Sequence, residues 1–266
     1  MADERFADLE RIEVTPAPLV AEGLTKSFGG LEVVAGFSHE LTHGIVTGLV
    51  GPNGAGKTTI FNLLSGALKP DAGRVLLAGF DVTGKSLHRV SRLGLGRSFQ
   101  DVRVFPTLTC VENCALYSQR VEEGSLVRTL FLPRSTWRHS GKALAIAREA
   151  VDYVGLSSMA DVPAGALSYA EQKLLAIARL LAIGSHTFLL DEPASGLDRR
   201  GVETLLGVIR QLAREGRTIL LIEHNIDVVQ EVCQKVLFLD RGKILAEGTP
   251  AEVLAQSDLA ELYFGA

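Results

Sequence analysis

A glycine-rich segment has the residue types and spacing needed to bind a phosphate group. Residues 51–59 read GPNGAGKTT, directly after a β-branched apolar run and directly before a helical pattern. Glycines there let backbone N–H groups turn inward around a phosphate, and a helix N-terminus adds favourable potential for an anion. The pattern predicts a Walker A loop in which Lys57 reaches the β- and γ-phosphates of a nucleotide and the Thr58 hydroxyl binds Mg²⁺.

The pattern of this segment also fits a plain glycine turn between a strand and a helix. The strand before it and the helix after it favour the phosphate loop. The nucleotide contacts predicted within the loop are Gly51, Asn53, Gly54, Ala55, Gly56, Lys57, Thr58 and Thr59. Such a loop indicates a nucleotide-binding protein without specifying its family.

Two acidic residues, Asp191 and Glu192, follow the apolar run 187–190. A carboxylate at the end of such a strand can hold Mg²⁺, which predicts Asp191 as a metal ligand in a Walker B segment. Where the backbone turns at the strand end, Glu192 can face the γ-phosphate and polarise a water molecule. Without the upstream loop, a surface turn at residues 191–193 would be the better interpretation. With that loop, Glu192 is the predicted catalytic base.

The strands and helix that must position these residues are those of an α/β protein. The apolar runs 45–50, 187–190 and 218–222 predict strands buried on both faces of a parallel sheet. Ligands of such sheets bind at the carboxyl ends of the strands, where the charged residues lie. Residues 57–68 are predicted to form the helix that follows the phosphate loop.

The remaining patterns place smaller elements around that core. Alternating apolar and polar residues at 19–28 and 32–44 predict a small antiparallel sheet. Residues 106–166 have helical spacing, with a turn-rich break at 132–135, and predict a helical insertion. Residues 236–246 read as a hairpin, and Thr249 is predicted to cap a short helix with Glu252 at its third position.

Composition limits the class of protein. The chain has 266 residues, 47% of them apolar, which suffices for one large α/β domain. Its net charge of -4 gives no basic surface for nucleic acid, and its three cysteines fit neither a disulfide set nor a zinc site. The charged first residues indicate a tail and not a secretory signal, and no apolar run approaches the ~18 residues of a membrane span. Any work at a membrane would need a partner that docks the chain there.

Five further segments occur in the order and context of the ABC ATPases, so that the chain resembles the nucleotide-binding domain of ABC transporters from about residue 19 to its end. The resemblance places Phe28, in the sequence KSF, where the family stacks an aromatic ring on adenine. A Phe of the core or of an edge strand is the alternative. Gln100, which ends the sequence RSFQ, corresponds to the family's Q-loop glutamine, which contacts Mg²⁺ or the attacking water.

The sequence LSYAEQ at residues 167–172 is similar to the family's LSGGQ signature, which reaches the γ-phosphate held by a second subunit. Ser168, Ala170 and Glu171 are the contacts that the resemblance implies. Ser168 and Glu171 also form a capping-box pattern, so a well-capped helix is the alternative. The chain departs from the family's glycines at Tyr169 and Ala170, and Glu171 replaces a Gln. The charge of Glu171 opposes phosphate binding unless its carboxylate turns back into the cap.

Two more segments complete the resemblance. SGLD at residues 195–198 matches the D-loop, which implies that Asp198 lies at a dimer interface beside the partner's phosphate loop. His224, after the strand 218–222, matches the family's switch histidine, whose imidazole bonds the γ-phosphate and orients the water. A surface histidine after a strand is the alternative.

The resemblance implies an α/β fold: a P-loop NTPase of the ABC type with a mixed-sheet core, an antiparallel β subdomain and a helical subdomain. Residues 1–18 are then a flexible tail and 19–266 a single domain. Within that domain, 19–100 and 186–248 form the nucleotide-binding core, 101–185 the helical subdomain with the signature helix, and 249–266 a helical C-terminal tail.

The implied activity is hydrolysis of ATP, with Mg²⁺, by a head-to-tail dimer. Glu192, His224, Lys57 and Gln100 are the implied catalytic residues, and Thr58, Gln100 and Asp191 the implied metal ligands. The implied partners are a second ATPase subunit, identical or related, integral membrane permeases and a solute-binding protein, with no nucleic acid. The chain is then expected at the cytoplasmic face of the inner or plasma membrane.

Features shared with one subfamily indicate import of branched-chain amino acids, urea or short amides. They are RSFQ followed by Phe105 and Pro106, the long insertion before the signature, the Ser168-Tyr169 pair and the C-terminal sequence from Glu247 onward. The transported solute does not touch this subunit. Three alternatives stay open: the ATPase of a lipid or lipopolysaccharide exporter, an ABC-type ATPase unconnected with transport, and a non-hydrolysing regulatory subunit.

Overall fold

The computed structural model describes residues 18–98, 102–118 and 141–256. The strands are β1 (Leu19–Phe28), β2 (Leu31–Leu41), β3 (Val46–Val50), β4 (Ala72–Leu77), β5 (Phe80–Asp81), β6 (Leu95–Arg97), β7 (Thr187–Asp191), β8 (Thr218–Ile222), β9 (Lys235–Asp240) and β10 (Lys243–Gly248). The helices are α1 (Lys57–Leu64), α2 (Leu87–Arg92), α3 (Cys110–Ser118), α4 (Gly141–Tyr153), α5 (Tyr169–Ala182), α6 (Arg199–Arg214), α7 (Ile226–Val232) and α8 (Pro250–Leu254).

A six-stranded sheet with the order β10-β9-β3-β8-β7-β6 forms the centre of the fold. The pairs β9–β3, β3–β8, β8–β7 and β7–β6 are parallel, and β10 adds an antiparallel edge through the predicted hairpin with β9. All residues of β3, β7 and β8 are buried, as the continuous apolar runs predict for a parallel sheet covered on both faces.

Successive residues of the central strands enter different cores because strand side chains alternate between the faces. Leu189 and Leu220 pack in a core shared with α1 and the antiparallel sheet. Leu190 and Leu221 pack in a second core shared with the helices α3 to α7. The sheet is thereby fixed on both sides, and the carboxyl ends of its strands are held in constant relative positions.

The second sheet is antiparallel and has the order β2-β1-β4-β5. The pairing of β1 with β2 confirms the predicted small sheet. The strands β4 and β5 were not predicted, because β4 begins with three exposed residues and β5 has only two residues, so that neither shows alternation. The mixed sheet, this antiparallel sheet and the helices together confirm the predicted fold class.

Helices occupy most of the described part of the predicted helical insertion, and α3, α4 and α5 pack against one another. Short 3₁₀ turns at Ser157–Met159 and Ala164–Ala166 connect α4 to α5. The buried guanidinium of Arg179 in α5 donates to the hydroxyl of Tyr117 in α3, which ties these two helices together. The predicted break at 132–135 lies outside the described residues.

The predicted extent of the first helix was wrong at its end. α1 stops at Leu64 and not at residue 68, since Ser65 is its C-cap and Gly66 adopts a φ of 75°. A Cβ at Gly66 would lie 2.3 Å from the carbonyl oxygen of Lys85, so the chain turns away where another segment approaches its backbone.

The C-terminal helix α8 begins as predicted. Thr249 and Glu252 form its capping box, with Pro250 in its first turn.

Within residues 18–98, 102–118 and 141–256, no helix combines the length and the apolarity that crossing a bilayer requires.

Candidate nucleotide-binding and catalytic site

Three chain segments with predicted site residues meet at one end of the central sheet. The phosphate loop follows β3, Asp191 ends β7, and His224 lies just beyond β8. Because β8 lies between β3 and β7 and all three run parallel, their carboxyl ends carry these residues to the same side.

The phosphate loop depends on two glycines that no other residue could replace without a clash. Gly51 has a φ of 145°, and a Cβ there would lie 2.0 Å from the carbonyl oxygen of Leu239. Gly56, the N-cap of α1, has a φ of 102°, and its Cβ would lie 2.7 Å from the carbonyl oxygen of Val33. The loop is therefore packed directly against backbone, which fixes the direction in which its N–H groups point.

Lys57 is held inside this loop. Its Nζ donates to the carbonyl oxygens of Gly51, at 2.7 Å, and Pro52, at 2.9 Å. Burial lowers the pKa of Lys57, and the nearby carboxylates of Glu192 and Asp191 act in the opposite direction. The parallel pairing of β3 with β8 and of β8 with β7 brings the predicted phosphate-binding lysine and the predicted acidic pair to the same side of the sheet.

Asp191 is a buried carboxylate at the end of β7. Its backbone N–H donates to the Ser98 hydroxyl at 3.2 Å, and its ion pair with Arg97 is long, at 3.9 Å. Burial is the largest influence on Asp191 and raises its pKa, which the charge of Arg97 partly offsets. An oxygen ligand in this position, desolvated and in a long ion pair, suits a hard divalent cation such as Mg²⁺.

Glu192 adopts an unusual backbone conformation that sets the direction of its side chain. Its φ of 46° places it in the left-handed region, which non-glycine residues seldom occupy and which is common at functional sites. Its N–H donates to the carbonyl oxygen of Ile222 at 3.0 Å, and its Oε1 lies 3.1 Å from Nε2 of His224. The predicted base and the predicted switch histidine are therefore direct neighbours.

Glu223 is a site residue that the sequence analysis missed. It is 3% exposed, and its Oε1 accepts a 2.9 Å hydrogen bond from the N–H of Ala194. Burial raises the pKa of Glu223, while the N–H groups of Ala194, His224 and Asn225 favour its charged form. This carboxylate joins the turn after β7 to the turn after β8. A signal was present in the sequence, since Glu223 follows an apolar run as Asp191 does.

The signature segment forms the predicted capping box at the start of α5. The Ser168 hydroxyl accepts from the N–H of Glu171 at 3.3 Å. In return the Glu171 carboxylate accepts from the N–H and from the hydroxyl of Ser168, both at 2.7 Å. The Glu171 carboxylate is thus turned back into the cap. Its charge therefore does not point along the helix axis toward an anion.

The D-loop packs beside the signature segment of the same chain. The ring of Tyr169 lies so close to Gly196 that a Cβ there would be 3.1 Å from its Cε1. A Cβ at Gly201 would likewise be 3.2 Å from the Cβ of Ala170. Asp198 caps α6, its Oδ1 accepting from the N–H of Gly201 at 2.8 Å.

One predicted site residue stands apart from the meeting point of the strands. Phe28 ends β1 in the antiparallel sheet and is 49% exposed, which is incompatible with a core residue, and the ammonium of Lys26 lies 5.7 Å from the centre of its ring. Gln100, predicted as a catalytic residue and metal ligand, lies outside the described residues.

Comparisons with known proteins decide the family. The sequence model of the family described as "ABC transporter" matches residues 34–195. The chain belongs to this family. It is 35% identical over 248 residues to the high-affinity branched-chain amino acid transport ATP-binding protein BraF of Pseudomonas aeruginosa, an alignment that covers 93% of this chain and 97% of BraF. It is 31% identical over 247 residues to the lipopolysaccharide export system ATP-binding protein LptB of Haemophilus influenzae, with 93% and 97% covered.

Solved structures agree with this assignment to the ABC transporters. The ADP conformation of MJ1267, an ATP-binding cassette of an ABC transporter, superposes with a TM-score of 0.82 at 29% identity and covers 94% of this chain and 99% of that one. This ABC chain is an ATP-binding and ATP-hydrolysing cassette. The family, the fold and the ATPase activity that the sequence predicted are thereby confirmed.

Proposed function

We propose that this cassette powers the import of branched-chain amino acids or related small solutes through partner permeases. The observation that carries the proposal is its 35% identity to BraF over nearly the full length of both chains. Export of lipopolysaccharide is the second candidate, because the identity to LptB extends over an equal share of the chains. The ATPase site is compatible with both, since the solute passes through other subunits.

Hydrolysis uses the residues at the carboxyl ends of β3, β7 and β8. Lys57 turns its ammonium from the loop carbonyls to the β- and γ-phosphates of ATP, where the loop N–H groups also donate. Glu192 accepts a proton from water as the water oxygen bonds to the γ-phosphorus and the bond to the β-phosphate oxygen breaks. His224, 3.1 Å from Glu192, holds the γ-phosphate and the water in line.

Mg²⁺ is the metal that these residues fit. Thr58, exposed in the first turn of α1, and buried Asp191 supply oxygen ligands, and Gln100 stays a predicted third ligand. Held by these residues, Mg²⁺ would supply positive charge against the negative charge of the phosphates. Asp191, whose ionised form burial disfavours, would then carry its charge beside a cation.

The adenine is proposed to stack on Phe28, and the predicted contacts in the loop bind the phosphates. These are Gly51, Asn53, Gly54, Ala55, Gly56, Lys57, Thr58 and Thr59. Part of the support is the exposure of Phe28, Asn53 and Thr58, since ligand contacts must be accessible before binding.

A second ATPase subunit is proposed to complete each site. Ser168, Ala170 and Glu171 then face the γ-phosphate of the partner, with Asp198 beside the partner's phosphate loop. In support, Ser168 and Asp198 are both exposed, and the Glu171 carboxylate is turned back into the capping box. The two subunits close around ATP and separate after hydrolysis, because the γ-phosphate favours the closed form.

The proposed assembly has the cassette on the cytoplasmic face of the membrane beneath permease subunits, with a solute-binding protein on the other side. In the proposed division of the chain, residues 19–100 and 186–248 are the nucleotide-binding core, 101–185 the helical subdomain and 249–266 a C-terminal tail, preceded by a tail at 1–18. Helices α3, α4 and α5 all lie within residues 101–185, which supports the assignment of a helical subdomain there.

The catalytic assignment is tested with Glu192→Gln. This variant should bind ATP with native affinity, lose at least about 10²-fold in kcat and accumulate ATP-bound dimer, because the proton acceptor is gone while the contacts remain. Glu22→Gln, which removes a carboxylate from an exposed ion pair with Arg74, is the matched control and should keep native turnover. Unchanged hydrolysis by Glu192→Gln would remove Glu192 from the catalytic role.

The transport assignment is tested in proteoliposomes containing the cassette and the permeases encoded beside it. Leucine, isoleucine or valine with a solute-binding protein should stimulate ATP hydrolysis and be taken up. Stimulation by lipopolysaccharide, with no response to these amino acids, would replace the import proposal with the second candidate.

A further inference from the structure

Lys173 connects the signature helix to the backbone of Glu192 within one chain. It lies in the second turn of α5 and is only 5% exposed, although it is a lysine. Its Nζ donates to the carbonyl oxygen of Glu192 at 3.2 Å. A buried ammonium needs compensating partners, and this carbonyl is one of them.

The peptide groups around Glu192 are therefore held from two sides. The N–H donates to Ile222 in β8, and the carbonyl accepts from Lys173 in α5. The left-handed conformation between them, with a φ of 46°, persists only where neighbouring groups enforce it. Since this conformation directs the carboxylate toward His224, the bond from Lys173 bears on where the catalytic oxygen lies.

Lys173 also lies among the groups that organise the rest of the site. Its Nζ is 5.4 Å from the centre of the Tyr169 ring, and that ring contacts Gly196 of the D-loop. Its charge favours the ionised form of Asp191. One buried cation thus contacts the signature segment and the turn after β7 at the same time.

We infer that Lys173 is a positioning residue for hydrolysis, which acts by fixing the backbone of Glu192. The inference rests on the proposed role of Glu192 as the base. It predicts a loss in kcat without a loss in nucleotide binding, because the phosphate loop and Phe28 make the binding contacts and Lys173 does not.

The experiment compares Lys173→Met, which keeps the buried stem and removes the donors, with Lys173→Arg, which keeps a cationic donor. Lys173→Met should lower kcat by about 10- to 100-fold, as a small misplacement of a catalytic group does, while the Kd for ATP stays within about twofold. Lys173→Arg should recover most of kcat. Lys235→Met, at a half-buried lysine paired with Glu247, is the matched control and should keep native kcat.

Glu192→Gln, measured alongside, separates this inference from the proposed function. If Glu192→Gln abolishes turnover while Lys173→Met keeps it, Lys173 has no positioning role. An equal loss in Lys173→Met and Lys173→Arg, or a parallel loss of ATP affinity, would also overturn the inference. Should Lys173→Met not fold, Lys173→Gln replaces it in the same comparison. If Glu192→Gln itself retains turnover, the proposed base is wrong and the inference fails with it.

Discussion

Nε2 of His224 lies 3.1 Å from Oε1 of Glu192, although the two residues are 32 positions apart in the chain. The parallel pairing of β7 with β8, in which Asp191 lies opposite Ile222, brings their strand ends together. The N–H of Glu192 then continues the ladder to Ile222. The close contact between a predicted base and a predicted phosphate sensor is thus a direct product of strand register.

Replacement of His224 should affect turnover more than binding. His224→Ala removes the imidazole that is proposed to hold the water in line beside Glu192, so kcat should fall by about 10²-fold with the Kd for ATP nearly unchanged. Steady-state hydrolysis and equilibrium nucleotide binding measure the two effects. His88→Ala, at an exposed position in α2, is the control and should keep native kcat. An equal loss of affinity and turnover would assign His224 to binding alone.

Phe28 should contribute to ATP affinity through stacking. Phe28→Ala is expected to raise the Kd for ATP by about fivefold, equivalent to about 1 kcal/mol. Phe28→Tyr should keep the native Kd, because a Tyr ring offers the same face for stacking. Phe80→Ala removes a ring of similar exposure, 43%, from the same sheet and should leave the Kd unchanged. Fluorescence titration with a nucleotide analogue measures this. Equal affinities of Phe28→Ala and the native chain would exclude stacking.

The two capping boxes separate helix stability from function at the signature segment. Ser168 and Thr249 make the same reciprocal bonds, to Glu171 and Glu252. Ser168→Ala and Thr249→Ala should each lower the free energy of unfolding by about 1 kcal/mol, measured by urea denaturation. In a Glu192→Gln background, only Ser168→Ala should also weaken ATP-dependent dimerisation, measured by sedimentation. Equal dimerisation of both variants would make Ser168 a cap and nothing more.

The sequence predicted features that local patterns determine. The phosphate loop, the buried strands and both capping boxes depend on residues within a few positions of one another. The helix α1 was predicted too long because its end is set by the approach of Lys85 to Gly66, a contact between distant segments. The strands β4, β5 and β6 were not predicted, since each is short or largely exposed.

The site residues that the sequence did not reveal are those that act through tertiary contacts. Lys173 carries no sequence motif, and the signal for Glu223 was only its place after an apolar run. The contacts of both residues appear only when the ends of β7 and β8 and the helix α5 are placed together. The conformation of Glu192 was equally hidden, because tertiary bonds and not residue type enforce its positive φ. Glu171 shows the opposite case. A local rule predicted its cap, and the structure confirms that the carboxylate turns inward.

Asp191 should make the stability of the nucleotide-free chain depend on pH. Burial raises its pKa in the folded state, so the folded chain ionises this carboxyl less readily than the unfolded chain does, and stability falls as the pH rises from the unfolded pKa toward the folded one. The stability that it contributes is complete below the unfolded value of about 4 and is lost as pH rises through the folded pKa. Asp191→Asn cannot ionise and lacks this loss.

Asp191→Asn should therefore become more stable relative to the native chain as pH rises from about 4 to about 7, which is measured as the difference between their free energies of unfolding. Other carboxyls titrate in both proteins and cancel, and the long ion pair with Arg97 is already part of the net rise in the pKa of Asp191, which it only partly offsets. Urea denaturation at a series of pH values measures the difference. Asp161→Asn, at an exposed side chain, is the control and should stay within about 0.5 kcal/mol of the native chain throughout. If the difference in unfolding free energy between Asp191→Asn and the native chain is constant with pH, burial does not raise the pKa of Asp191. That result would weaken the assignment of Asp191 as a metal ligand.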